Sequence, residues 1–441
     1  MSLLRRLNDL ASHSSAIMLS RLAGAGAGLL TQFLLVKLMG AHHLGLFYAA
    51  SSLAAVLGVA AAQGYPQVAA RFVGRYRNKQ DDALFSSFTR HAMRDGFLVA
   101  LIAALGVNAW ALYWPGLGID ERVAYCVAGW MLLAIVTLNI LTNIAGGMRI
   151  FSLCYMPEGM LRPFAFFGAV ALMGLTGFAL SAQVAMVTFA VITAVLAGGV
   201  AVLLRSQMPD RKPTATVRTK LVWRWRMEAW QLVLLAIFTN FFADVGILVA
   251  APFLTHAEIA VFGLCLKLAL LVGYFVQIGQ QMAVPDMADA RHGGDVPRLR
   301  RAAWRSIVAP SAITATSMLV IVFFGTDLLS FFGPEFAQGK TALLILLGAQ
   351  LLRALAGPSA HMLTLSGIQR VNFGVAVSSL LVLFIASAGL SPVLGVEGAA
   401  LAVLVTYAYW VGISAIALKW LKEPSVDILW LTFSRAEIRT A

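Results

Sequence analysis

The chain has 441 residues, 60% of them hydrophobic and only 12% charged, with a mean hydropathy of +0.82 and a net charge of +13. That balance excludes a soluble globular protein of ordinary composition and points to a polytopic membrane protein. The positive charge does not indicate nucleic acid as a partner, because the basic residues stand in short loops between apolar stretches and build no continuous basic face.

A helix needs about 20 apolar residues to cross the hydrocarbon core. Such stretches lie near 14–38, 43–70, 95–114, 123–146, 158–179, 183–204, 228–252, 257–284, 307–332, 340–365, 371–391 and 397–418. They predict an all-α membrane protein of about twelve transmembrane helices, arranged as two six-helix lobes around a central cavity. Of the 33 Lys and Arg residues, Lys37, Arg122 and Lys340 fall on one side and Arg21, Lys267 and Arg353 inside spans. The remaining 27 lie on the other side, an asymmetry that places both termini in the cytoplasm. The N-terminal segment carries Arg5 and Arg6 but no small-x-small cleavage motif, so it is expected to lead uncleaved into the first span.

Cys126, Cys154 and Cys265 are widely spaced in or beside apolar segments and read as core residues, not as a disulfide framework or a metal site. His42 and His43 share one external turn without a third ligand, and no metal or other cofactor is expected. No loop is long enough for a soluble catalytic domain, and no nucleophile elbow or catalytic carboxylate pair is present, so the chain does not read as an enzyme.

The longest basic loop runs from Arg205 to Arg226 and divides the chain into an N-terminal lobe, 1–205, a cytoplasmic linker, 206–227, and a C-terminal lobe, 228–441. Six helices in each half give the halves the same orientation, related by an axis along the membrane normal. Gly45–Arg71 has a counterpart beginning near Phe262, with Pro66 and Pro285 in corresponding places. Two matched kinks at a transporter's working region are one reading of these prolines, and plain packing features are the other.

Ser20, Arg21, Leu22 and Gly24, then Gly40 and Ala41, then Gly45, Phe47, Tyr48 and Ala49, form an opening that resembles the multidrug/oligosaccharidyl-lipid/polysaccharide (MOP) exporter superfamily. Twelve helices and a basic linker are most similar to its Wzx-type polysaccharide flippases. That resemblance implies an undecaprenyl-pyrophosphate-linked oligosaccharide as substrate, carried across the bacterial inner membrane by alternating access for O-antigen, capsule or exopolysaccharide export. It implies polysaccharide polymerase and glycosyltransferases as partners of a monomer in the bilayer. Cations on helices one and eight line the cavity in the lipid II branch, which by resemblance gives that role to Arg21 and Lys267. The competing readings are a cation-coupled exporter of small amphiphiles and a membrane-embedded polymerase or glycosyltransferase. The exporter reading is weakened because, beyond the boundary residue Asp95, the first six spans offer only Glu158 as an acid.

Arg21, Asp244, Lys267 and Arg353 are the charges well inside spans, where each costs at least about 2.5 kcal/mol. At 1.5 Å per residue, Asp244 lies about 24 Å along helix seven and Lys267 about 15 Å along helix eight from the opposite side, so a structural or coupling ion pair is expected. Arg21 is near enough to a membrane face to snorkel, or else it joins the cavity. Arg353 lies near the middle of helix ten without an acidic neighbour in sequence. Three cations against one anion suit a pyrophosphate. Gln63, Gln67, Gln280 and Gln281 near the prolines read as contacts to sugar hydroxyls or as helix-to-helix hydrogen bonds. His361, two turns beyond Arg353, suggests pH sensing. The run AGAGAG at 23–28 is no phosphate loop, and its Gly24 and Gly28 have the spacing of close helix contact.

Overall fold

A computed structural model of the chain describes residues 14–208, 219–365, 369–421, 423 and 426–433, of which 14–22, 25, 364, 369, 429 and 433 by backbone alone. The described residues are helices and connecting turns. They belong to two compact units, Met1–Val245 and Gly246–Ala441.

The first unit contains α1 (Ser14–Ala61), α2 (Tyr65–Asn78), α3 (Asp82–Tyr113), α4 (Ile119–Gly147), α5 (Phe151–Met156), α6 (Arg162–Leu175), α7 (Ala182–Arg205), α8 (Thr219–Trp230) and α9 (Val233–Asn240), and α10 (Phe242–Ala250) runs across the division. The second contains α11 (His256–His292), α12 (Val296–Ser330), α13 (Lys340–Leu355), α14 (Ser359–Leu365), α15 (Gln369–Trp420) and α16 (Ile428–Phe433).

Among the described residues, eight helices are long and apolar enough to cross a membrane. Two of them, α1 with 48 residues and α15 with 52, leave helical geometry at Gly40 and Gly395, so each is two helices. A straight 48-residue helix would measure about 72 Å, more than twice the hydrocarbon thickness of about 30 Å. The segment Thr219–Asn240 with Phe242–Phe253 is long and apolar enough as a pair but bent by 81°, the form of a broken span or a re-entrant loop. With α1 and α15 each divided in two and the broken pair α13–α14 set beside them, the described helices correspond to the twelve apolar stretches of the sequence.

Burial separates two kinds of helix. The apolar stretches of α1, α4 and α11 are mostly buried, whereas in those of α3, α7 and α12 only 22% of the residues are. In the first unit α4 packs against α1, α2, α3 and α7, and in the second α13 packs against α11, α12 and α15. The exposed positions carry large apolar side chains such as Ile102, Val195 and Phe323. Water would not tolerate that surface, while lipid tails do.

Of the two glycines with contact spacing, Gly24 alone meets a neighbour. A Cβ there would fall 1.7 Å from the Gly159 carbonyl oxygen, while one on Gly28 would meet nothing within 4 Å. Gly159 lies in the π-helical turn Pro157–Leu161 between α5 and α6.

Candidate functional site

Helix ten is discontinuous. It runs as α13 to Leu355, breaks at Ala356–Pro358 with Gly357 left-handed at φ 60°, and resumes as α14 at Ser359. The Gly-Pro pair explains the break locally: glycine adopts the positive φ without a Cβ penalty, and proline withholds the N–H that would continue the ladder. Carbonyls at the end of α13 therefore lose their helical donors. Gln280, buried on α11, supplies one: its Nε2 donates to the Arg353 carbonyl at 3.2 Å and to the Gly357 carbonyl at 2.9 Å. This glutamine forms a helix-to-helix hydrogen bond, the second of the two roles open from sequence.

Arg353 occupies the last turn of α13, where a cation is favoured by the helix dipole. It is half-buried, and among the described residues its guanidinium makes no hydrogen bond and no ion pair. One turn earlier on the same face stands Gln350, 1% exposed, whose Oε1 has no partner among the described residues. Gly273 of α11 makes room for it, since a Cβ there would lie 2.6 Å from that oxygen. A half-buried cation and a buried amide thus stand one turn apart beside a broken helix.

The other residues singled out by sequence are distributed over both units. In the second, Lys267 is half-buried on α11, Gln281 is exposed, and Pro285 lies inside α11, which continues through it. In the first, Asp244 on α10 is half-buried and accepts from the Ser52 hydroxyl of α1 at 3.0 Å. Gln63 sits in the turn after α1 with φ 53°, and Pro66 in the first turn of α2. The two prolines therefore differ locally: Pro66 stands where a new helix begins and no N–H is needed, Pro285 within an unbroken helix. The backbone of Arg21 is helical, and its side chain lies outside the described residues.

A further polar cluster, not anticipated from sequence, joins α2, α3 and α8. Asp95, 6% exposed, accepts from the Tyr65 hydroxyl at 2.9 Å and from Arg226 Nε at 2.8 Å, with Arg94 at 3.3 Å. Beside it the fully buried Trp225 donates its indole N–H to the Tyr76 hydroxyl at 2.8 Å and packs edge-on against Phe88. Burial raises the Tyr76 phenol above its ordinary value. Glu228 pairs with Arg224 at 2.7 Å and with Arg71. The end of the basic stretch is thus a helix docked on the first unit; residues 209–218 lie outside the described residues.

No protein-family model and no curated protein sequence matches the chain. Solved structures do. The lipid II flippase MurJ in an inward closed conformation superposes with a TM-score of 0.72 at 13% identity, covering 92% of this chain and 88% of MurJ. An inward-facing multidrug resistance MATE family transporter of the MOP superfamily gives 0.68 at 13% identity, over 95% of this chain and 99% of its own. The chain shares the fold of these two structures. The MATE multidrug transporter DinF-BH in complex with R6G extends the likeness, with a TM-score of 0.61 at 12% identity over 96% of each chain.

Proposed function

We propose that the protein is a flippase that moves an undecaprenyl-pyrophosphate-linked oligosaccharide across the bacterial inner membrane for polysaccharide export. The observation that carries this reading is Arg353. A guanidinium within a span is costly unless something compensates it, and here no hydrogen bond or ion pair among the described residues does so. A pyrophosphate, which takes bidentate charge-assisted hydrogen bonds, is a fitting counterpart. The Gln350 amide oxygen beside it, without a partner among the described residues, suits a hydroxyl at the polar end of such a lipid. The likeness to a structure named as a lipid II flippase supports the same class of cargo.

Lys267, Gln63, Gln281 and Arg21 are the further candidates for contact with the headgroup and sugars, with Asp244 as a coupling group. The basic-residue asymmetry supports cytoplasmic termini, and a polymerase and glycosyltransferases are the partners this cargo requires.

Export of small amphiphiles is the second reading, supported by the likeness to multidrug transporters. Proteoliposomes decide between them. The reading expects translocation of a pyrophosphate-linked oligosaccharide, near-complete loss with Arg353→Ala and partial activity with Arg353→Lys, which keeps charge but loses the planar fork. Inserted, heat-stable Arg353→Ala protein that flips at the wild-type rate, or wild-type protein that expels R6G and moves no lipid-linked sugar, would rule it out.

A further inference from the structure

The C-terminal segment of the second unit returns to the break in helix ten. Gly357, at the break, is covered by Val426: a Cβ on this glycine would lie 2.5 Å from the Val426 carbonyl oxygen and 2.8 Å from Ile307 Cδ1. Val426 itself holds φ 46°. A β-branched residue adopts that conformation only where its surroundings impose it.

Three contacts impose it here. Arg291 of α11 donates to both oxygens of Glu423, at 3.1 Å through Nε and 2.6 Å through Nη2. The same guanidinium donates through Nη1 to the Leu365 carbonyl, at the end of α14, at 3.1 Å. Val426 and Leu431 pack into one apolar cluster with Met362 and Leu363 of α14 and Ile307 of α12. Arg300 of α12 donates to the Leu431 carbonyl. One arginine therefore clamps the C-terminal segment and the far end of α14 together, with the segment's backbone closed against the turn between α13 and α14.

We infer that Glu423, Arg291 and Val426 are positioning residues: the C-terminal strap fixes the Ala356–Pro358 break and so sets the direction in which the last turn of α13 presents Arg353. This rests on Arg353 as the pyrophosphate contact proposed above. Gln280 holds the break from α11 through the Arg353 and Gly357 carbonyls, and the strap holds it through Gly357 and Leu365. Loosening one support leaves the guanidinium in place chemically but lets its helix end move.

The test uses the full chain in nanodiscs, with hydrogen exchange and with binding of farnesyl pyrophosphate as the probe. Glu423→Gln removes the charge partner of Arg291 and is expected to speed exchange across 356–365 while leaving 119–147 unchanged. Farnesyl pyrophosphate should bind about fivefold or more weakly, within the usual range of a coupling between sites. The loss should vanish when Glu423→Gln is made on Arg353→Ala, because residues acting as a unit are not additive. Glu423→Asp, which keeps the carboxylate, should fall between the two. Unchanged exchange over 356–365 in Glu423→Gln overturns the inference, as does a binding loss of equal size with and without Arg353. Wild-type protein that does not bind the probe overturns the pyrophosphate reading, and with it the positioning role, while the exchange arm separately reports whether the strap holds the break.

Discussion

Arg226 donates through Nε to the Asp95 carboxylate at 2.8 Å, joining two residues 131 positions apart in the chain. Asp95 is nearly enclosed and accepts from three side chains, whereas the Arg226 side chain is 46% exposed. Removing the enclosed partner should therefore cost more than removing the exposed one. Asp95→Ala is expected to lower stability by about 1–3 kcal/mol, because the buried Tyr65 hydroxyl loses its acceptor. Arg226→Ala should lower it by less, its contribution screened by solvent. Thermal unfolding in detergent measures both, and an Arg226→Ala loss equal to or above that of Asp95→Ala would contradict the ranking.

Trp225 and Trp223 lie two residues apart on α8 with opposite surroundings, the first fully buried and the second exposed. Trp225→Ala leaves a large void between α8, α2 and α3 and should cost about 3–5 kcal/mol. Trp223→Ala should stay within about 0.5 kcal/mol. Comparable melting shifts for the pair would show that α8 does not dock as described.

Glycines offer a second contrast. Gly64 holds φ 75°, and a Cβ there would lie 1.9 Å from the Ala229 carbonyl oxygen of α8. Gly64→Ala is thus both strained and obstructed and should reduce the yield of folded protein. Gly24→Ala should also be harmful, through the Gly159 carbonyl, while Gly28→Ala should be tolerated. Size-exclusion profiles of the three variants give the comparison, and an aggregated Gly28→Ala would be the unexpected result.

Topology is tested by reporter fusions. Alkaline phosphatase placed at 209–218 or after the C-terminus should be inactive and a green fluorescent protein there should fluoresce, as the positive-inside rule requires. High phosphatase activity at 209–218 would reverse the proposed orientation.

The spans were legible because transfer into hydrocarbon is a local property of composition, and each predicted stretch corresponds to helix. What hydropathy does not report is backbone direction within a span. The breaks near Gly64-Tyr65-Pro66 and at Gly357-Pro358 were visible as glycine and proline punctuation. The first is open in sequence between a kink and a packing feature, and the second carries no contrast there, since both lie inside long apolar runs. Asp95 stands at the edge of the span 95–114, where sequence does not distinguish it, because its partners Tyr65 and Arg226 come from distant segments. Arg353 stands out as a candidate because a lone cation in an apolar run is conspicuous without any knowledge of packing. Gln350 carries no such contrast in sequence, and only its burial and unpartnered oxygen distinguish it.

The docking of α8 also bears on the order in which the protein is made. Trp225 follows Tyr76 by 149 residues, and Glu228 follows Arg71 by 157. At about 5–20 residues per second, α2 and α3 wait on the order of ten seconds after their own synthesis for the segment that completes them. Through that interval the aromatic recess of Tyr76 and Phe88 lacks its tryptophan, and Asp95 lacks Arg226. A nascent chain halted after α7 lacks this closing piece, so the first unit stays unfinished until the ribosome has read through the basic stretch that follows α7.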